Sequence, residues 1–196
     1  MRARVAAAGL SHEVRIIGGQ WRRSKLAVAD VSGLRPTPDR VRETLFNWLG
    51  QNLSGWRCLD AFAGSGALGF EAASRGAAQV VLLERDRKLA AGLEQARLRL
   101  KATALRIDHA EALAWMARCP PESFDLVFVD PPFDSDLLEP AVSAAARLVV
   151  PDGFVYIEAG RAMAAGAPSL RGLAIHRQGR AGVVHFQLAQ KRVGTA

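Results

Sequence analysis

The chain has little cysteine and little histidine, which limits the disulfides and the metal sites that it can form. Only Cys58 and Cys119 occur among 196 residues, so neither a disulfide framework nor a cysteine-ligated metal site is expected. The four histidines are scattered and show no metal-ligand spacing. Cys58 falls in a predicted buried strand, where a thiol behaves as a small apolar side chain. Neither cysteine is placed for covalent attack on a pyrimidine, and we expect a metal-free protein in a reducing cytoplasm.

Long apolar runs are also missing, although 49% of the residues are hydrophobic. No segment approaches the length that spans a bilayer, so no membrane partner is expected. Residues 9–15 interrupt the apolar stretch that a signal peptide would need. The length and apolar content suit a single domain with one core.

Acidic residues are scarce near the N-terminus. The chain has a net charge of +7, and between residues 2 and 42 the basic side chains far outnumber Glu13, Asp30 and Asp39. Such an imbalance indicates a surface that binds a phosphate backbone, although a solvated basic face without a partner is the alternative. Arg42 contributes to this basic excess. The candidate residues for binding nucleic acid are Arg15, Trp21, Arg22, Arg23, Lys25, Arg35 and Arg40.

Strand and helix patterns alternate along most of the sequence. The last two predicted strands are separated by only five residues, too few for a crossover helix, so they must pair antiparallel. Seven strands in this arrangement predict the α/β, Rossmann-like fold of class I methyltransferases, a mostly parallel sheet with an antiparallel last strand. The predicted strands lie near residues 57–62, 79–84, 104–108, 125–130, 153–158, 173–177 and 183–188, with helices over 67–74 and 87–101.

The N-terminal segment predicts a small β-hairpin ahead of this sheet. Residues 14–17 and 24–28 have strand character and flank a turn that contains two glycines. Thr37 is predicted to cap a following helix whose first residue is Pro38. We therefore divide the chain into a basic extension over residues 1–33, which binds nucleic acid, and a methyltransferase domain over residues 34–196.

A glycine-rich turn follows the first strand of the sheet. Gly64, Gly66 and Gly69 match the spacing of dinucleotide-binding turns, in which glycines allow positive φ and close approach of a ligand. Asp60, just before the turn, would repel a pyrophosphate but can receive a cationic amino-acid group. Glu84 ends the second strand about twenty residues later, where such folds hold a ribose. The turn thus leaves NAD and S-adenosylmethionine open, and Asp60 favours the second.

The sequence Asp130-Pro131-Pro132-Phe133, here called the proline corner, follows a predicted buried strand. Two prolines fix φ and remove two backbone donors, so the chain leaves the sheet with little freedom. Ligands of open α/β sheets bind at this carboxyl edge. A carboxylate and a ring held close together suit a planar base whose amino group donates to Asp130, with the Pro131 carbonyl as a second acceptor, while its ring stacks on Phe133.

Four stretches of the chain resemble the bacterial 16S ribosomal RNA guanine-N2 methyltransferase family, D type. They are residues 15–22, 34–49 and 62–69 and the proline corner, and the similarity extends from about residue 14 to residue 188. The resemblance implies S-adenosylmethionine as the cofactor and a guanine of 16S ribosomal RNA as the acceptor. It also implies a monomeric enzyme that acts on an assembled or assembling 30S subunit.

The same resemblance implies the residues of the site. The proline corner supplies the catalytic residues, namely Asp130, Pro131, Pro132 and Phe133. The implied cofactor site consists of Asp60, Phe62, Gly64, Ser65, Gly66, Glu84, Arg85, Glu111 and Ala112.

Three other functions fit parts of the pattern. A methyltransferase for adenine N6 or protein glutamine would share the proline corner, because the amino group of its substrate also needs a hydrogen-bond acceptor. A nicotinamide oxidoreductase would share the topology. A non-catalytic RNA-binding assembly factor could keep the fold, but it would not need Asp60, Glu84 and Asp130.

Overall fold

The computed structural model describes residues 12–28 and 37–192, and in them strands and helices alternate as the apolar pattern predicts. The predicted helix over residues 67–74 has those bounds in the structure. The strands are β1 His12–Arg15, β2 Lys25–Val28, β3 Arg57–Asp60, β4 Gln79–Glu84, β5 Leu105–His109, β6 Phe124–Val129, β7 Val149–Ala159, β8 Leu173–Ala181 and β9 Val184–Lys191. The helices are α1 Asp39–Trp48, α2 Ala67–Ser74, α3 Arg87–Arg99, α4 Ala112–Arg118 and α5 Leu138–Leu148, with a 3₁₀ turn over Pro168–Leu170.

One seven-stranded sheet forms the centre of the molecule. Its strand order is β5-β4-β3-β6-β7-β9-β8. The first five strands in that order pair in parallel, and β9 pairs antiparallel with both β7 and β8. Strands β1 and β2 pair separately as an antiparallel hairpin. The predicted class I methyltransferase sheet, with its antiparallel last strand and its small N-terminal hairpin, is confirmed.

The two faces of the sheet carry two hydrophobic clusters. Alternate side chains of a strand point to opposite faces. Leu59 and Val127 pack in the cluster that includes residues of α4 and α5, whereas Cys58, Phe128 and Tyr156 pack in the cluster that includes residues of α1 and α2. The polar residues that end β3, β6 and β7 therefore continue the rows that face α1 and α2.

Helix α1 begins without the threonine cap that the sequence predicts. Its N-cap is Pro38, which makes no side-chain cap hydrogen bond, and its first helical residue is Asp39. The Thr37 side chain is instead buried beside the carboxyl groups of Asp130 and Glu158, where it lowers the pKa of each. A cap is a local interaction, whereas these two acids arrive from distant strands, so a tertiary contact displaces the local one.

The β1–β2 hairpin shares the hydrophobic core with α1. The Ile17 amide donates to the Glu71 carboxylate at 2.8 Å, and the Ser74 hydroxyl donates to the Gly18 carbonyl at 2.6 Å. The hairpin is thus fixed to α2 by hydrogen bonds as well as by packing. The domain boundary proposed at residues 33 and 34 falls within residues 29–36, outside the described residues. The buried apolar side chains of the hairpin region are Val14, Ile16 and Leu26.

A buried ionic network joins the hairpin region, α1 and α2. Arg42 has no exposed surface, and its guanidinium lies 3.5 Å from the carboxylate of Glu71 and 2.5 Å from that of Asp39. Arg75 donates to Glu71 at 2.9 Å, and its guanidinium lies 4.7 Å from the centre of the Phe46 ring. Counting Arg42 towards a phosphate-binding surface was wrong, because a charge count does not show which arginine is buried against a partner.

Candidate active site

The glycine-rich turn between β3 and α2 has the backbone that its glycines predict. Gly64 and Gly66 have φ values of 52° and 77°, in the left-handed region. A Cβ atom on Gly66 would lie 2.6 Å from the Leu93 side chain, and one on Gly69 would lie 2.8 Å from Leu82. Larger residues would therefore strain the turn or push α2 away from the sheet.

Asp60 ends β3 beneath this turn. Its carboxylate accepts the Gly69 amide at 2.9 Å, and only 2% of the residue is exposed. Burial raises the pKa of Asp60 to about 7; the Gly69 hydrogen bond opposes this rise, and the charge of Glu84 adds to it. Asp60 thus holds the start of α2 against the sheet and keeps a carboxyl group that a nearby cation would ionise.

Glu84 ends β4 and holds the other side of the turn. Its two carboxylate oxygens accept the Gly64 amide and the Asp86 amide, each at 2.8 Å. The side chain is buried, yet a carboxylate has about four lone-pair sites, so it retains the capacity to accept further hydrogen bonds. Glu84 therefore organises the turn and remains suited to a ribose.

The remaining candidate cofactor residues surround Glu84 at the same edge. The Ala110 amide donates to the Glu84 carbonyl at 3.1 Å, which brings the start of α4 next to the end of β4. Glu111 is exposed at the N-cap of that helix and makes no side-chain cap hydrogen bond. Ala112 and Ser65 are buried, Phe62 and Gly64 are half-buried, and Arg85 is exposed.

The proline corner leaves β6 beside an open cleft. Phe133 is 46% exposed, and its ring lies over the backbone of Gly160, where an added Cβ would be 3.5 Å from the ring. A cleft of about 510 Å³ opens here, and Pro131, Phe133, Glu158 and Gly160 are among its lining residues. An exposed aromatic ring above a glycine leaves room for a second flat ring to stack on it.

Three acids lie at the carboxyl ends of adjacent strands and form what we call the carboxyl row: Asp60, Asp130 and Glu158. Burial raises the pKa of each one, and the charges of Glu158 and Asp60 raise the pKa of Asp130 further. The Tyr156 hydroxyl donates to Glu158 at 2.9 Å. Glu158 and Thr37 were missed as site residues from the sequence. The one signal was the acid Glu158, which follows the apolar run over residues 154–157 in β7.

Most of the candidate RNA-binding side chains face solvent. Lys25 pairs with Glu13 at 2.6 Å, and Trp21 is half-buried against the core, with its amide donating to the Ser74 hydroxyl at 3.0 Å. Arg35 lies outside the described residues. The hairpin thus offers positive charge beside an anchored tryptophan. The exposed candidates are Arg15, Arg22, Arg23, Lys25 and Arg40.

Comparisons with known proteins give the family. Residues 14–190 match the model of a family described as conserved hypothetical protein 95. The chain is 42% identical to ribosomal RNA small subunit methyltransferase D of Escherichia coli K12 over 184 residues, which are 92% of this chain and 91% of that protein. The chain belongs to the small subunit methyltransferase D family. The Haemophilus influenzae member of this methyltransferase D family is 44% identical over 153 residues, 74% of this chain and 78% of its own.

Solved structures share the fold of this methyltransferase D family member. A putative methyltransferase from Escherichia coli superposes with a TM-score of 0.81 at 38% identity, over 93% of this chain and 100% of that chain. A 16S rRNA N2 G1207 methyltransferase of Thermus thermophilus, solved with AdoMet and guanosine, superposes with a TM-score of 0.71 at 23% identity, over 93% of this chain and 50% of that chain. This similarity supports the fold alone. Among residues 12–28 and 37–192, no helix is long and apolar enough to cross a membrane, and no cluster of three or more His, Cys, Asp or Glu residues could hold a metal ion.

Proposed function

We propose that this protein transfers a methyl group from S-adenosylmethionine to the exocyclic N2 of a guanine in 16S ribosomal RNA. The observation that carries the proposal is the proline corner, where Asp130 directly follows β6 beside a cleft that contains the exposed Phe133 ring. A flipped base stacked on Phe133 would bring its amino group to Asp130. The relatives' name, ribosomal RNA small subunit methyltransferase D, supports the same substrate class.

The carboxyl row favours a cationic cofactor over a dinucleotide. Burial and mutual repulsion raise the pKa of Asp130, and burial raises the pKa of Asp60 and Glu158. A pyrophosphate would add negative charge to this edge, whereas a sulfonium and an ammonium group would offset the charge already there. When bound, S-adenosylmethionine supplies an electrophilic methyl group on its sulfonium sulfur.

The turn residues fit the rest of that cofactor. Glu84 would accept the ribose hydroxyls, while its hydrogen bonds to the Gly64 and Asp86 amides hold it in place. Asp60 would face the cationic amino-acid end. Glu111 and Ala112, at the start of α4, would border the adenine ring of the cofactor.

Asp130 acts on the acceptor amine. The lone pair of guanine N2 is delocalised into the ring, and hydrogen bonds from the amine to Asp130 and to the Pro131 carbonyl localise that pair. Bound S-adenosylmethionine would give up its methyl group and keep the bonding electrons on sulfur, and the methylated nitrogen would then have to lose one proton. The methylated amine is acidic, so Asp130 need not be a strong base to receive that proton. Alignment by this corner supplies on the order of several kcal/mol.

The hairpin and the start of α1 form the proposed RNA-binding surface. Arg22, Arg23 and Lys25 would contact phosphates without base selectivity, and the shape of the RNA and the cleft would choose the nucleotide. We place the protein as a monomer on an assembled or assembling 30S subunit in the cytoplasm. The exposed positive charge of the hairpin and the net charge of +7 support the binding to RNA.

A methyltransferase for another amino nitrogen is the second candidate, because the proline corner would hold adenine N6 or a glutamine amide in the same way. One experiment separates the two. The protein is incubated with methyl-labelled S-adenosylmethionine and either naked 16S RNA or 30S subunits from cells that lack this activity, and the products are identified by mass spectrometry. We expect N2-methylguanosine. Methylated adenosine or glutamine would replace the proposal by the second candidate, and no transfer to either RNA form would leave an RNA-binding assembly factor.

A further inference from the structure

Glu158 occupies a position next to Asp130 that the methyl-transfer step does not require. In the pairing of β6 with β7, Phe128 lies opposite Tyr156 and Val129 opposite Ile157, so the next residues, Asp130 and Glu158, are neighbours at the edge. Both continue the row that faces α1 and α2. Glu158 is only 4% exposed, and it is among the residues that line the cleft with Phe133.

Two carboxyl groups side by side match one edge of guanine and no edge of adenine. The Watson–Crick edge of guanine presents the N2 amine and, next to it, the N1–H group, which are adjacent donors. Adenine and 2-aminopurine each present an amine next to an unprotonated N1, which is an acceptor. A base whose amine donates to Asp130 therefore directs either a hydrogen or a lone pair towards Glu158.

We propose that Glu158 accepts the N1–H of the acceptor guanine while Asp130 holds the N2 amine, so that the pair selects guanine over bases without an N1 proton. This inference rests on the proposed function and names the residue that determines base selectivity at that site. It also gives a reason why adenine N6 would be a poor acceptor here, since its N1 lone pair would face a carboxylate.

The surroundings of Glu158 hold the carboxylate for this role. The Tyr156 hydroxyl donates to it at 2.9 Å, and the Thr37 side chain lies beside it just before α1. The Tyr156 hydrogen bond fixes the group and leaves lone pairs free, because a carboxylate accepts about four hydrogen bonds. The Phe133 ring above Gly160 fixes the plane in which a base would reach it.

The test replaces the target guanine by 2-aminopurine, which keeps the exocyclic 2-amine and lacks the N1 proton. RNA carrying either base at the methylated position is prepared by ligation and supplied as naked RNA or 30S subunit, whichever form the wild type methylates. A hydrogen bond to a charged group is worth about tenfold to hundredfold in rate. We expect wild-type kcat/KM to be lower on 2-aminopurine by that factor.

Glu158→Gln should reduce this selectivity at least tenfold, on the scale of one such hydrogen bond. The Tyr156 hydroxyl would hold the amide oxygen, which turns the amide NH₂ towards the base, where it donates to the N1 of 2-aminopurine. The rate on 2-aminopurine should therefore rise above that of the wild type, a gain that a misfolded variant cannot produce. Glu158→Ala should lose the selectivity without the gain. Glu94→Gln, on α3, is the matched control and should keep the wild-type ratio.

The outcomes separate the inference from the function on which it rests. A wild-type protein that makes no N2-methylguanosine contradicts the proposed function. A wild-type protein that makes N2-methylguanosine but methylates both bases equally well overturns the role of Glu158 alone. So does a Glu158→Gln protein that keeps the wild-type ratio, or one that binds S-adenosylmethionine and RNA yet is inactive on both bases.

Discussion

We expect Asp60 to make the protein less stable as the pH rises, which is the reverse of the usual behaviour of an acid. Its pKa is 3.8 in an ordinary environment and about 7 in the folded protein, mainly because of burial. Between these values the folded state binds more protons than the unfolded state, so the free energy of unfolding falls as pH increases. A rise of this size corresponds to roughly 4 kcal/mol, which is lost between about pH 4 and pH 7.

Asp60→Asn removes this titration and should flatten the pH dependence of stability. The oxygen of the introduced side-chain amide can still accept the Gly69 amide, so the slope, and not the absolute stability, is the informative quantity. Because the charge of Asp60 also raises the pKa of Asp130, the substitution should flatten the curve a little further. The measurement is urea unfolding of both proteins at several pH values in that window, without cofactor.

The control for this measurement is Asp152→Asn, at an exposed residue that should leave the slope unchanged. An Asp60→Asn protein whose unfolding free energy falls with pH as steeply as that of the wild type would refute the reasoning. The buried carboxyl would then not be the source of the pH dependence.

Four further predictions concern cofactor, catalysis, stability and RNA. Glu84→Ala should weaken S-adenosylmethionine binding about tenfold to hundredfold in calorimetry; unchanged affinity in a folded variant would remove Glu84 from the cofactor site. Asp130→Ala should keep cofactor affinity but lose most of kcat in a methyl-transfer assay, and a near wild-type rate would exclude it as the amine acceptor. Arg42→Ala should lower the free energy of unfolding in urea by about 3–5 kcal/mol, because Glu71 would stay buried with one partner fewer. A decrease below about 1 kcal/mol would show that the Arg42–Glu71 pair is not buried as described. Replacing Arg22 and Arg23 by Ala should make the dependence of RNA affinity on log salt shallower by roughly 0.7–0.9 for each phosphate that is no longer neutralised, and equal slopes would leave them as a solvated face.

The sequence predicts features whose cause is local. The Asp86 side chain caps α3 at the predicted helix start, accepting the Lys88 and Leu89 amides at 2.8 and 3.0 Å. The sequence also predicts the glycine turn, the antiparallel pairing of the last two strands and the bounds of α2. Each of these follows from a short stretch of residues with its own spacing or length constraint. Strand ends are less well predicted: β7 begins at Val149, four residues before the predicted start, and its pairing with β6 is irregular there.

What the sequence did not predict depends on pairs of residues far apart in the chain. Thr37 has the local pattern of a helix cap, and only the fold brings two carboxyl groups to it. Arg42 has the local pattern of a surface cation, and only the fold buries it against Glu71. Glu158 becomes a site residue because the register of β6 and β7 puts it beside Asp130.

Helix α1 connects the hairpin with the central sheet, two regions that the sequence analysis assigns to different domains. This connection determines how RNA binding should be tested. Thr37 lies beside the carboxyl row just before the N-terminus of α1, and Arg42 pairs with Glu71, which also accepts the Ile17 amide of the hairpin region. Removing the hairpin would expose the core around the buried Leu26 and leave Glu71 without that amide. A truncated protein that lost activity would therefore report on folding as much as on RNA. Substitutions confined to the exposed arginines leave this network intact, so their effects can be attributed to RNA binding.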